Sequence, residues 1–258
     1  MDLGLKDKVV VITGGATGIG LAGALAFAGE GCRVALCGRS IEKIAAATRE
    51  FTAKGYELFA ETADVSSEED LKAFAGQVFK KFGRIDVWIN NAGISPKARL
   101  IDMSGDEWDE VMRTNLKGVF LGSQIAARYM KESGGGVILN ASSFASVMPS
   151  ATSGAYAAAK AGVTSLTRSL AAEFARYGIR VVAYIPGVVA TDINRKKIEE
   201  TGRQLLAQIS LNRFGKTEEV AKVLVFLASD AASYITGTAI EITGGKFCIQ
   251  NPEVPWTW

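Results

Sequence analysis

The sequence predicts an α/β fold, a doubly wound sheet of seven parallel strands with helices on both faces. Three observations predict it. Short runs rich in Val and Ile alternate with longer segments of helical period, the pattern of strands buried on both faces. The first run empties into a glycine-rich turn, Thr13-Gly14-Gly15-Ala16-Thr17-Gly18-Ile19-Gly20, that opens a helix. No repeat, low-complexity linker or break in composition divides the 258 residues, so the chain reads as a single domain over 1–258.

Strands are expected at 9–13, 33–37, 57–62, 87–90, 137–141, 181–185 and 239–242. Between them, helical periods cover 18–30, 40–54, 67–82, 104–132, 155–177 and 217–229, giving the βαβ rhythm of a doubly wound sheet. Two segments fall outside this rhythm. Residues 188–212 lie between the sixth strand and the next regular helix and suit a helical flap over a substrate. The tail 246–258, ending Asn251-Pro252-Glu253-Val254-Pro255-Trp256-Thr257-Trp258, carries tryptophans that are costly to leave in water. It is expected to pack, either on its own pocket or on a neighbouring subunit.

A chain that is 48% hydrophobic with a net charge of only +2 has no electrostatic footprint for nucleic acid. No apolar run approaches the roughly 18 uncharged residues of a membrane span, and the segment after Met1 lacks the basic and apolar regions of a signal peptide. The expected location is cytoplasmic. Cys32, Cys37 and Cys248 lack metal-ligand spacing and fit reduced thiols, and with no histidine in the chain no metal site is expected. The missing histidine also means that any proton transfer must use other groups.

Glycines at 14, 18 and 20 after the first strand let the backbone approach a pyrophosphate at a helix N-terminus, so Gly14, Thr17, Gly18, Ile19 and Gly20 are candidate dinucleotide contacts. A tight structural turn is the plainer alternative. The second strand ends Cys37-Gly38-Arg39-Ser40. An Asp or Glu there would hold the ribose 2′-hydroxyl of NAD, whereas Arg39 can grip a 2′-phosphate through paired hydrogen bonds. NADP(H) is therefore favoured, with NAD(H) possible. Ser40 fits both that phosphate and the N-cap of the next helix. Asp64 and Val65 fit the adenine, and Asp64 fits equally well an acid at a helix start.

Tyr156 and Lys160 share a helix face, separated by about 6 Å of rise. An ammonium there favours the phenolate and makes a tyrosine usable as an acid or base. The pair by itself is also compatible with an amphipathic helix whose tyrosine packs and whose lysine is solvated.

Taken together, TGGATGIG at 13–20, Asp64, NNAG at 90–93, Asn115, Ser143, Tyr156 with Lys160, and Pro186-Gly187 with Thr191 resemble the short-chain dehydrogenase/reductase family over 8–245. The resemblance implies a Rossmann-type fold and a proton relay. Ser143, chosen over Ser142 because it precedes Tyr156 by the family's usual separation, would bind the substrate oxygen. Tyr156 would move the proton. Lys160 would hold the nicotinamide ribose and lower the tyrosine pKa, and Asn115, in the long fourth helix, would help hold a water. Asn90, Asn91, Ala92 and Gly93 would run along the cofactor, and Pro186, Gly187, Val189 and Thr191 would close on its nicotinamide side. The family habit implies a homotetramer.

The family commonly has an asparagine where Val182 stands, and Tyr184 and Ile185 are bulkier than usual. The substrate is expected to be a small or medium ketone or secondary alcohol, in an apolar pocket lined by Ile94, Phe144, Val147, Met148 and Ile193. A 3-ketoacyl thioester on acyl carrier protein or a sugar or polyol is the alternative substrate. Arg128, Lys131, Arg168 and Arg195 to Lys197 are the basic residues a carrier protein would meet. A non-catalytic dinucleotide sensor is the reading from a different class.

Overall fold

The computed structural model describes residues 3–246, 248–249 and 251–257, and the side chains of all of these except 192–197 and 257. Seven strands form one parallel sheet: β1 (Val9–Thr13), β2 (Arg33–Gly38), β3 (Leu58–Thr62), β4 (Val87–Asn90), β5 (Gly136–Ala141), β6 (Ile179–Pro186) and β7 (Ala239–Ile242). Their order is β3-β2-β1-β4-β5-β6-β7. The chain leaves β1 to one side and returns for β4 on the other, so a crevice opens at the carboxyl ends of these two neighbours.

The helices are α1 (Gly18–Gly29), α2 (Ile41–Ala53), α3 (Glu68–Phe82), α4 (Gly105–Met112), α5 (Gly118–Glu132), α6 (Gly154–Phe174), α7 (Asp192–Leu206) and α8 (Thr217–Ala228). Alternation along β1 sends Val10 and Ile12 to one face, with Phe27 of α1, Phe51 of α2 and Leu224 of α8. Val9 and Val11 go to the other, with Phe74 of α3, Ile125 of α5 and Leu170 of α6. Burial on both faces is why the strands read as unbroken apolar runs.

Serines set three helix starts. Ser40 accepts from Lys43 N, Ser67 from Asp70 N, and Ser104 forms a reciprocal capping box with Glu107.

The sequence suggests one helix over 104–132. The structure instead interrupts it with a π-helical turn, Arg113–Lys117, that carries Asn115. The Asn115 amide donates from Nδ2 to Val111 O at 3.0 Å, taking the carbonyl that its own backbone N–H would use in an α-helix. Helical periodicity cannot show this, because the disturbance comes from a side chain. Within the expected flap, α7 is interrupted at Thr201, whose φ of −134° leaves the helical region.

A buried polar network crosses the middle of the sheet. Trp88 Nε1 donates to Asn90 Oδ1 at 2.8 Å, Asn90 Nδ2 donates to Asn140 Oδ1 at 2.8 Å and to Ser123 Oγ at 3.0 Å, and Asn140 Nδ2 donates to Thr167 Oγ1 at 3.0 Å. It ties β4 and β5 to α5 and α6. Asn140→Ala would remove two buried hydrogen bonds, one to each side, and leave a small void in a low-dielectric interior, so we expect it to cost about 2–4 kcal/mol. Urea unfolding followed by circular dichroism measures this; a loss below about 0.5 kcal/mol, the range of surface substitutions, would contradict the assignment.

Candidate active site

The carboxyl ends of β1, β2, β4, β5 and β6 face one continuous cavity of about 610 Å³. It runs from Arg39, Asp64 and Val65 past the Gly14–Ile19 turn and Asn91–Gly93 to Ser143, Tyr156 and Lys160. Pro186, Gly187, Val189 and Thr191 complete it.

The glycine turn presses on the chain leaving β4. Gly14 has a φ of +62°, and a Cβ there would lie 2.8 Å from Ala92 Cα, so only glycine fits. Gly20, expected to touch a dinucleotide, does not line the cavity. A Cβ on it would meet Gly14 O and the Asn91 amide, so it lets α1 pack beneath its own turn. Asn91 braces that turn from below, its Nδ2 donating to Thr13 O at 3.2 Å and Gly14 O at 3.0 Å. Asn90, expected along the cofactor, points instead into the buried network and is absent from the lining. Adjacent side chains on a strand face opposite ways, so only one of the two asparagines can reach the crevice.

With Val182 in place, every buried side-chain nitrogen or oxygen among the described residues still has a hydrogen-bond partner. Two positions on, the Tyr184 hydroxyl crosses to Asn91 Oδ1 at 3.1 Å, so the bulky residue supplies a polar tether for the glycine turn's brace.

At the β2 end, Gly38 faces open space, with no atom within 4 Å of a Cβ built there. Arg39 is exposed and lines this space together with Lys43, which sequence reasoning missed although it stands one helical turn beyond Arg39. Ser40 lines it too. Its oxygen caps Lys43 N, and its proton goes to Glu42 Oε2 at 2.7 Å. Asp64 Oδ1 accepts from Ser66 N at 2.8 Å, so this acid holds the start of the next segment while lining the cavity.

The chemical end is built by β5 and α6. Ser142 and Ser143 follow β5 and diverge. The Ser142 hydroxyl donates to Lys160 O at 3.1 Å and meets Thr164 Oγ1 at 2.7 Å, joining strand to helix. Ser143 turns to the Tyr156 hydroxyl, and its Oγ accepts from Ala145 N at 3.2 Å. Buried Ala155 and Ala159 let α6 lie against Val111 of α4.

Lys160 is only 3% exposed, and its Nζ donates to Ala141 O at 2.7 Å and lies 5.7 Å from the Tyr156 ring centroid. Burial pushes its pKa down to about 8. Burial also holds Tyr156 above its ordinary value, offset in part by the hydrogen bond from Ser143. The sequence suggests a tyrosine with a lowered pKa. Here desolvation sets the direction, and the lysine's ammonium is turned to a backbone carbonyl.

Asn115 lies behind the lining rather than in it. It accepts from Ile94 N at 3.1 Å and donates to Ile94 O at 2.9 Å, which fixes the chain just beyond Gly93. The point where a Gly93 Cβ would stand is 2.6 Å from Asn115 Oδ1 and 3.6 Å from Lys160 Nζ, so both atoms border the space that glycine leaves.

The expected apolar pocket is corrected. Ile94 and Phe144 line the cavity, but Val147 and Met148 are exposed and do not, because the turn after β5 carries them outward. Ser95, Lys97, Ser150, Thr152 and Ser153 stand at this end instead. Ile193 and the run Arg195 to Lys197 have side chains outside the described residues. In the tail, Phe247 and Trp258 lie outside them as well. Trp256 donates from Nε1 to Ser210 O at 3.0 Å yet stays 59% exposed, and no described residue beyond 246 lines the cavity.

A parallel doubly wound sheet with a glycine turn after its first strand and a Ser-Tyr-Lys cluster at its crevice defines a dinucleotide-dependent oxidoreductase of the short-chain type. A family model described as "Enoyl-(Acyl carrier protein) reductase" matches residues 14–246. The 3-oxoacyl-[acyl-carrier-protein] reductase FabG of Thermotoga maritima is 41% identical over 93% of this chain and 98% of its own. Levodione reductase of Leifsonia aquatica is 38% identical over 93% and 94%. A short-chain type dehydrogenase/reductase from Mycobacterium marinum superposes with a TM-score of 0.91 at 33% identity, covering 95% of this chain and 97% of that one. The chain belongs to the short-chain dehydrogenase/reductase family and is an oxidoreductase acting on CH–OH or ketone groups. Among the described residues no helix is long and apolar enough to cross a membrane.

Proposed function

We propose that the protein reduces a ketone to a secondary alcohol, or runs the reverse reaction, with NADP(H) as the favoured cofactor and NAD(H) possible. The observation that carries this is the placement of the Ser143 and Tyr156 hydroxyls side by side at the crevice, with Lys160 buried beside them.

The residues present fit a nicotinamide dinucleotide, the family's cofactor. Gly14 keeps the turn free of side chains, and Gly38 leaves open space beside Arg39 and Lys43. Gly14, Thr17, Gly18 and Ile19 would take the pyrophosphate, Asp64 and Val65 the adenine, and Arg39 and Lys43 the 2′-phosphate. With the Ser40 proton already given to Glu42, the two cations carry that last contact. Asn91, Ala92, Gly93, Lys160, Pro186, Gly187, Val189 and Thr191 would border the nicotinamide half. When bound, the nicotinamide supplies or accepts the hydride.

In reduction, Ser143 donates a hydrogen bond to the substrate carbonyl oxygen and Tyr156 gives that oxygen its proton. A phenol held above its ordinary pKa is the protonated form this step requires. The Lys160 ammonium stabilises the tyrosinate left behind, and a water between Lys160 and Asn115 beside Gly93 restores the proton. The exposed faces of Trp108 on α4 and Phe120 on α5 suit contacts between copies in a cytoplasmic homotetramer. The 41% identity to a 3-oxoacyl-carrier reductase favours an acyl thioester as the second substrate reading.

The pH dependence tests the relay. With Lys160 near 8, its charge is lost as pH rises through that value, so kcat/KM for ketone reduction should be level on the acid side and fall on the alkaline side. Initial rates of NADPH oxidation across this range measure it. A rate that climbs through the same range would contradict the proton's origin.

A further inference from the structure

Two loops wall the end of the cavity beyond Tyr156: residues 94–98 after β4 and 150–153 before α6. They are tied together. Ala98 N donates to Thr152 O at 3.0 Å, and Leu100 lies so near Gly154 that a Cβ there would be 2.8 Å from Leu100 Cδ1. Thr152 has a φ of +69°, a left-handed conformation that costs a β-branched residue energy and turns up preferentially at ligand-contacting sites. Ser150 and Ser153 bond to each other at 2.8 Å and help fix this turn.

The chemistry of this mouth is cationic and hydroxylic. Lys97 lines it and, among the described residues, makes no ion pair or hydrogen bond; the hydroxyls of Ser95 and Thr152 also have no partner. Among the described residues two carboxylates line the cavity, and neither pairs with Lys97. Asp64 is at the far end, capping Ser66, and Glu200 on α7 is engaged in an interaction of its own. Of the apolar side chains expected to hold a hydrocarbon tail, Ile94 and Phe144 line the cavity while Val147 and Met148 lie outside it. A lone ammonium at a concave mouth concentrates anions there.

Resting on the reductase reading above, we propose that the preferred substrate is a carbonyl compound bearing an anionic group, a carboxylate or a phosphate, and that Lys97 with the hydroxyls of Ser95 and Thr152 holds that group. The anion anchors one end of the molecule while Ser143 and Tyr156 receive its carbonyl.

The test compares three substrates sharing one ketone: an oxoalkanoate, its methyl ester, and an oxoalkyl phosphate of matched length. The wild type should favour an anion over the ester, and which anion it favours distinguishes carboxylate from phosphate. Lys97→Met should lower kcat/KM for that anion about 10-fold, chiefly through KM, and leave the ester within about twofold; added salt should narrow the preference. Equal use of all three by the wild type, or an equal loss on all three in Lys97→Met, overturns the proposal while leaving the reductase reading intact. Thermal shift separates the two failures. An anion that raises Tm in the wild type and not in Lys97→Met supports the site even if nothing is turned over, an outcome that would count against reduction alone. No shift and no turnover overturns both.

Discussion

Tyr156→Phe is expected to lower ketone turnover by about 10³-fold or more, the scale of a lost general acid, while leaving cofactor affinity within about threefold. The reason is local. The hydroxyl is the only atom removed, and it stands beside Ser143, the other group placed to meet a carbonyl oxygen. The ring remains to pack with Ala155, Ala159 and Val111, so the fold should survive. Single-turnover oxidation of NADPH with excess ketone, alongside fluorescence titration of NADPH, separates chemistry from binding. Turnover within tenfold of wild type would sink the relay, and retained binding without turnover in the wild type itself would favour the sensor reading.

Arg39→Asp is expected to weaken NADPH by about 30-fold or more while changing NADH by less than about threefold, since it replaces a charge-assisted phosphate contact with a repulsive carboxylate. Arg39 is exposed and lies at the mouth of open space beside Gly38, so the change should not disturb packing. Lys43→Ala should produce a smaller loss in the same direction, because it removes one cation and adds no repulsion. Calorimetric titration with both cofactors reads all of these. Equal losses for NADPH and NADH would show that Arg39 meets something common to both, and would withdraw the preference.

Much of the candidate site was legible because its residues sit just beyond the carboxyl ends of strands or, like Tyr156, in the first turn of α6, at positions that the family resemblance marks. Gly14, Asn91, Ser143 and Tyr156 all line the cavity as their positions suggest. What misled was chemistry that depends on direction. Asn90 and Asn91 are neighbours in the motif, and the two faces of a strand send one into the core network and the other to the glycine turn. Gly20 belongs to the motif by spacing, but its space is filled by its own turn. The direction of the Tyr156 shift was also beyond reach, since proximity to Lys160 is visible along a helix and the depth of burial is not.

By itself the sequence determined the parallel α/β layering and the strand positions, because periodicity is a property of the chain alone, whereas the Ser143, Tyr156 and Lys160 set was an expectation from the resemblance of motifs to the family. Only the tertiary structure decided the π turn at Asn115, the Tyr184 tether to Asn91, the place of Lys43 in the cavity lining and the hydroxylic mouth around Lys97. Each of these joins residues distant in sequence or turns on which way a side chain points, and that is set by packing against the rest of the molecule.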